Sequence, residues 1–433
     1  MAREIFTSRF TAVLTMLGIS MGLGNVWRFP YMMGSYGGSA FLIVYLIFTF
    51  LFAIPALMAE MALGQMSGRG TVDSLRLVFG KKTGNFFGYL LLAVVTVAGS
   101  YYAVIVGNVF YSSLFALLVG FKNEGTEQYH TLLANGWLQY AVTMVVVLAS
   151  LFVIHKGLSK GIELISNVVM PFLFAALIYM IIHALLLPGA IEQCLQFLKP
   201  NWRVLHATEI FAAMGQAFFS VGLGGTFVVV YAGFFKKDES IPVMAMVTGL
   251  GDAGSSLLFS LFLIPSILVF GLNMAAGPTL IFDTFPQLFN SMPGGRWLGP
   301  LVLFSIFIVG FLSLVAAYQV PFTSMLYEKP TWTRKRILII IAVLQAMLAL
   351  PSSLYPNIIS NLDLIFGSGM QVVGSGLCII GLTWGISRST SMLQMFSANK
   401  TSVWHLFFYL WMKWIIPLAL LSVLIGYIYD MAR

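Results

Sequence analysis

Long apolar runs separated by short polar punctuation fill almost the whole chain. Eleven of them approach the roughly 20 residues that a helix needs to cross a bilayer: 10–34, 38–66, 86–119, 137–155, 162–187, 208–234, 241–272, 298–327, 334–350, 357–387 and 402–429. They are numbered here as spans 1 to 11. The stretch 274–297, with Pro278, Pro286, Pro293, Gly294 and Gly295, reads as a long loop with short helices. Span 1 is interrupted by Ser20-Met21-Gly22-Leu23-Gly24-Asn25-Val26-Trp27-Arg28-Phe29-Pro30. Glycine destabilises a helix interior by about 0.5–1 kcal/mol relative to alanine. Arginine at membrane depth is costly unless it faces water or a partner. A break there frees backbone groups that only protein or a water-filled cavity can satisfy. A helix broken at mid-membrane therefore predicts a binding site for a small charged ligand.

The same signal returns at the start of the second half as Ser220-Val221-Gly222-Leu223-Gly224-Gly225. Glycine-interrupted segments at matching positions of two halves point to the substrate site of a secondary transporter. The plainer alternative is two glycine-rich packing faces of intact helices; the polar and charged neighbours of both clusters argue against it. Five spans occupy about 10–187 and five more about 208–387. An odd number per half forces the halves into opposite orientation, the inverted-repeat plan, with span 11 (about 402–429) outside it. The expected fold is an all-α polytopic membrane protein with discontinuous spans 1 and 6, one transporter domain over 1–433.

Composition agrees. The chain of 433 residues is 59% hydrophobic and 9% charged, against about 25% charged in soluble domains. Of its 23 lysines and arginines, sixteen fall on the side of the N-terminus and five (Lys122, Lys199, Arg203, Arg296, Arg433) on the other. Arg28 and Lys413 lie within spans. Positive charge marks the cytoplasmic side, so the N-terminus is expected in the cytoplasm and the C-terminus outside, in an inner or plasma membrane. This placement accounts for the net charge of +8 without nucleic acid. The first run is not a short segment ahead of a small-residue cleavage site, so no removable signal peptide is expected. Cys194 and Cys378 are too few for a disulfide framework and have no metal-ligand spacing.

Few ionisable residues sit within spans: chiefly Arg28, Glu60, Asp252 and Asp363. Each is a functional hypothesis by default. There is no Ser-His-Asp arrangement, catalytic carboxylate pair or metal cluster, and His183 and His405 are isolated, so no enzyme is expected.

Gly22-Leu23-Gly24-Asn25 with Arg28-Phe29-Pro30, Gly37-Gly38, Ala40-Phe41, Glu60 with Gly64, Tyr101-Tyr102, Lys160-Gly161-Ile162-Glu163 and Gly215-Gln216-Ala217-Phe218-Phe219-Ser220 resemble the neurotransmitter:sodium symporters over spans 1 to 10. With eleven spans the chain is similar to the shorter bacterial members. The resemblance implies the leucine-transporter fold and symport of an amino acid with one or two sodium ions. It implies a first sodium site at Ser20, Asn25, Ser220 and Asp252, the last standing where an asparagine is usual. Asp252 can strengthen the cation site or carry a proton. The second sodium site maps to Gly18, Met21, Val309 and Ser313. Its remaining position, usually threonine or aspartate, is Leu312, which cannot coordinate a cation.

For the substrate the resemblance implies Ser20, Gly22, Leu23, Gly24, Tyr102 and Ser220 at the carboxylate end. Helix-end amides and dipole hold an anion there. Ala98, Phe219, Gly222, Gly225, Ser313 and Ala317 surround the side chain. Gly22 stands where amine-carrying members have an aspartate, so the substrate is expected to bring its own carboxylate. A roomy subsite of small apolar residues favours a large apolar amino acid. Tyr45, Gln216, Ser220 and Ser256 resemble the chloride shell of animal members, but Asp252 one turn away supplies a competing negative charge; the balance leans to chloride independence. Arg28 with Asp363, and Phe219 as lid, match the outer gate. Arg3 matches the inner gate, with Tyr327 or Glu328 as its partner and Phe6 in place of a tryptophan. Glu60 is expected to be structural, its usual partner position being Cys378. A channel, a membrane enzyme, a substrate-sensing receptor on the same fold and a proton-linked transporter are the rival readings.

Overall fold

The long apolar runs are helical, and at the two glycine hexapeptides the helix unwinds. The computed structural model describes residues 4–122, 125–272, 280–396 and 402–431. Arg3, Pro278, Lys400 and Arg433 lie outside the described residues. Among those described, nine helices are long and apolar enough to cross a membrane: Ser39–Ser67, Thr71–Leu118, Gly136–His155, Leu158–Leu185, Ile241–Val269, Gly295–Glu328, Arg334–Leu354, Ile358–Trp384 and Val403–Gly426. These are spans 2 to 5 and 7 to 11.

Spans 1 and 6 are the broken ones. Span 1 consists of Arg9–Ser20 and Gly24–Ser35, bent by 63°. Span 6 consists of Ala207–Ser220 and Phe227–Ala232, separated by six residues without regular helix. The unwound segment of span 6 needs left-handed backbone at Gly222 (φ +70) and Gly224 (φ +79), conformations that glycine adopts at no steric cost. Each five-span half thus opens on a broken helix. Span 2 ties into the second break: the buried Glu60 accepts the Gly224 N–H through Oε1 at 2.8 Å, giving this carboxylate the structural part expected of it.

The sequence reading started span 3 at residue 86. In the structure its helix runs from Thr71, with a non-helical joint at Gly80 (φ +75). That joint sets off a short amphipathic helix, with Val72, Leu75 and Val78 buried, and leaves Lys81 and Lys82 exposed. Short helices also form at Gly125–Leu133, Ala190–Phe197 and Thr284–Ser291 on one side and Arg388–Phe396 on the other. Spans 3 and 8 pack along much of their length, and span 1 lies against spans 5, 7 and 8. The breaks of spans 1 and 6 therefore face each other inside a helical scaffold. Large apolar side chains such as Phe152, Val168, Ile178, Ile339, Met347 and Leu421 remain exposed, the surface a bilayer covers.

Candidate functional site

The unwound turn after Ser20 is held by its own asparagine. Asn25 Oδ1 accepts the Gly22 N–H at 2.8 Å, and the Asn25 N–H donates to the Gly22 carbonyl at 3.1 Å. This local loop keeps the amides at Leu23 and Gly24 at the head of the resumed helix. Asn25 Nδ2 points into an oxygen cluster. It lies 2.7 Å from Asp252 Oδ1, 2.8 Å from Ser256 Oγ, 3.2 Å from Ser220 Oγ and Ser255 Oγ, and 3.3 Å from the Asp252 carbonyl. Ser220 Oγ donates to Asp252 Oδ2 at 2.6 Å. Asn25, Ser220 and Asp252 are all buried. The residues expected at the first cation position thus come together, but the side-chain oxygen of Asn25 is turned to Gly22. A cation held here through Asn25 requires that amide to rotate, because Nδ2 is a donor and repels a positive charge.

The second position differs. Ser313 Oγ donates to the Met21 carbonyl at 2.8 Å and lies 3.3 Å from the Val309 carbonyl, so these ligands are gathered. Leu312 is buried, and its Cδ1 lies 3.0 Å from the place a β-carbon on Gly18 would occupy. An isobutyl group fills the side on which a second hydroxyl would stand.

Next to the oxygen cluster is a cavity of about 150 Å³. Ser20, Gly22, Leu23, Gly24, Ala98, Tyr102, Phe219, Ser220, Gly222, Ser313 and Ala317 all line it, with Ser313 Oγ and Tyr102 Oη both next to Gly22. Tyr102 Oη is buried there without a hydrogen-bond partner, a donor aimed at whatever enters. Of the expected substrate residues only Gly225 is absent from the wall. The ring of Phe227 stands against both Gly222 and Gly225, so that a β-carbon on either would collide with it. The Phe227 ring thus takes up part of the space that these glycines were expected to leave. Sequence reasoning missed Phe227, and also Trp27, Val95, Ile105 and Gln371 in the wall. Val95 and Ile105 carried a signal, since with Ala98 and Tyr102 they form one helical stripe at spacings of three and four.

The expected chloride shell is partly committed. Tyr45 lies beside Ser220, Ser256 and Asp252, and Tyr45 Oη and both amide atoms of Gln216 are buried without partners. Ser220, however, already donates to Asp252, and Ser256 is taken up by Asn25.

The outer gate is corrected in one respect: Arg28 and Asp363 do not pair. The Arg28 guanidinium lies over the Phe219 ring, 4.5 Å from its centre, while Asp363 Oδ1 accepts from Tyr101 Oη at 3.1 Å. A cation–π contact and a tyrosine hydrogen bond replace the expected ion pair. Phe219 covers Gly24, with Cε1 2.8 Å from where a β-carbon there would sit, in keeping with its expected place as a lid. On the opposite side, Glu328 is held by Arg76 and by Tyr89 Oη at 3.0 Å. Glu4 pairs with Arg334 at 2.9 Å, Glu163 accepts from Thr7, and Phe6 is buried against Phe234 and Phe235. Among the described residues, the partner anticipated for Arg3 at 328 is thus already engaged.

A family model described as the sodium:neurotransmitter symporter family matches residues 3–124 and 121–433. The uncharacterized sodium-dependent transporter YhdH of Bacillus subtilis is 28% identical, over 98% of this chain and 97% of its own length. An uncharacterized sodium-dependent transporter of Haemophilus influenzae is 26% identical over 98% of both chains. The crystal structure of MhsT in complex with L-phenylalanine matches with a TM-score of 0.86 at 30% identity, covering 98% of this chain and 100% of that one. Matched over nearly its whole length in sequence and in fold, the chain belongs to the sodium:neurotransmitter symporter family of sodium-dependent membrane transporters.

Proposed function

We propose that the chain carries a large neutral L-amino acid together with sodium across the plasma (inner) membrane by alternating access. The whole of residues 1–433 acts as one unit, with repeats over about 10–187 and 208–387, the N-terminus in the cytoplasm and the C-terminus outside. The observation that carries the reading is the make-up of the cavity wall. It holds Leu23 and Gly24, whose amides head the resumed helix, and the buried Tyr102 hydroxyl, which suit a carboxylate. The same wall holds Val95, Ala98, Ile105, Phe227 and Ala317, which suit an apolar side chain. None of these five can pair a charge, and the carboxylate in the wall, Asp363, already accepts from Tyr101; burying an unpaired charge costs several kcal/mol, so acidic and basic amino acids are disfavoured. The binding of L-phenylalanine by MhsT supports the same class.

Sodium occupies the first position, where Asp252, Ser220 and a rotated Asn25 amide supply oxygens beside the substrate carboxylate at Ser20. The second position is weak. Chloride is not required, because the Asp252 carboxylate already engages Ser220 and a second anion beside it is repelled. The test is uptake of labelled L-phenylalanine into proteoliposomes under an inward sodium gradient, in chloride and in gluconate. The reading requires saturable, sodium-driven uptake in both, with competition by leucine and none by glutamate or lysine. A preference for glycine or alanine, or binding without counterflow, rejects it in favour of another substrate or a receptor.

One observation supports a second reading. Asp252 is fully buried, and its hydrogen-bond partners are the neutral Asn25 and Ser220. A proton can satisfy such a carboxylate as a cation does. Uptake driven by a pH gradient in the absence of sodium would favour proton coupling.

A further inference from the structure

We infer that the ends of spans 10 and 11 beside the helix Arg388–Phe396 form a binding site for the phosphate headgroup of an anionic phospholipid. Two cations converge there on one aromatic cluster. Lys413 Nζ lies 4.6 Å from the centre of the Trp384 ring and 5.8 Å from that of Tyr409. Arg388 Cζ lies 5.9 Å from the same Tyr409 ring. Among the described residues neither side chain has an ion pair or a hydrogen bond. Arg9, Arg69, Arg76 and Arg334 at the same side of the molecule face carboxylates instead, while Lys156 and Arg336 each lie over a single ring; here two cations share one.

The pair is held where it is by structure rather than left to wander. A π-helical turn, Trp411–Ile415, carries Lys413 within an otherwise apolar span. Its carbonyl accepts the Trp384 Nε1–H at 3.2 Å, and Tyr409 Oη donates to the Thr383 carbonyl at 2.8 Å. Lysine within a span is expensive unless its stem reaches back to the interface. Here it reaches back toward Trp384, and an exposed tryptophan pair, Trp384 and Trp414, is the side-chain type that settles at headgroup depth. Arg388 begins the helix Arg388–Phe396. The hydroxyls of Ser387, Ser389 and Thr390 gather at that first turn, 2.8–3.1 Å apart. Ser387 Oγ already accepts the Thr390 N–H at 3.2 Å, but the helix start still favours negative charge, and the two cations beside Tyr409 add to that preference. The exposed Leu418, Leu421 and Ile425 farther along span 11 offer the acyl chains a surface. That continuity selects a lipid over a free phosphate ion.

The purified full-length chain in neutral detergent is offered equal amounts of phosphatidylglycerol and phosphatidylcholine with identical acyl chains, and retained lipid is counted by native mass spectrometry. Wild type is expected to retain phosphatidylglycerol on the order of tenfold in preference, the gain two surface cations supply. Arg388→Gln with Lys413→Gln is expected to bring the ratio to parity. Arg388→Gln alone, at an exposed side chain that packs into no core, is expected to remove about half of the effect on a logarithmic scale. Glycerol 3-phosphate in the buffer is expected to leave the ratio unchanged. An unaltered preference in the variants, no preference in wild type, or displacement by glycerol 3-phosphate overturns the proposal, the last in favour of a site for free phosphate esters.

Discussion

The two candidate cation positions flank the same unwound turn of span 1 and have opposite characters. At the first, Asn25, Ser220, Ser255, Ser256 and a buried carboxylate, Asp252, crowd within hydrogen-bonding distance of one another. At the second, Ser313 is the sole side-chain oxygen of the expected set, and Leu312 packs toward Gly18. Both are framed by the same backbone break. The fold therefore supplies the carbonyls to either place, and side chains decide whether a cation is held. A hard cation needs a full oxygen shell; one position has gained a formal charge and the other has lost a ligand. Coupling, on this account, is concentrated at Asp252.

The largest effect is expected from Asp252→Ala. Hydrogen bonds to a charged group contribute roughly 1.5–3 kcal/mol, so the apparent sodium affinity in substrate-binding assays should fall at least about tenfold. Wild-type sodium affinity in this variant would move the coupling site elsewhere. Asp252→Asn keeps the shape and removes the charge. With Tyr45 and Gln216 left buried and unpartnered, its uptake should become dependent on chloride, checked by exchanging chloride for gluconate. Leu312→Thr returns a hydroxyl to the second position. It should raise sodium affinity roughly fivefold, the worth of about 1 kcal/mol, and steepen the sodium dependence. The smallest effect is expected from Ser313→Ala. If the second position holds no tightly bound cation, sodium affinity should change by less than about twofold, even if substrate affinity drops through the cavity wall.

Much of this was legible in the chain. Apolar length located the spans, and the repeated glycine hexapeptides located both breaks; in the second, Gly222 and Gly224 take the left-handed backbone that glycine adopts most readily. The motif resemblance brought the oxygen cluster and eleven of the twelve expected substrate residues to one place. What it could not supply was the direction of side chains. Phe227 follows Gly225 by two residues, yet nothing in the sequence says its ring folds back over both glycines. Arg28 and Asp363 have the charges for an ion pair, but each contacts an aromatic residue instead, Phe219 and Tyr101. The joint at Gly80 was missed because the stripe Val72, Leu75 and Val78 ahead of it is too short to count as a span.

The most direct test of the central claim is a sodium titration of labelled L-phenylalanine binding to the purified wild-type protein. A single effective cation position predicts a Hill coefficient of about one, since the coefficient cannot exceed the number of coupled sites. A coefficient clearly approaching two would contradict the account, showing that backbone carbonyls and Ser313 hold a second sodium ion despite Leu312.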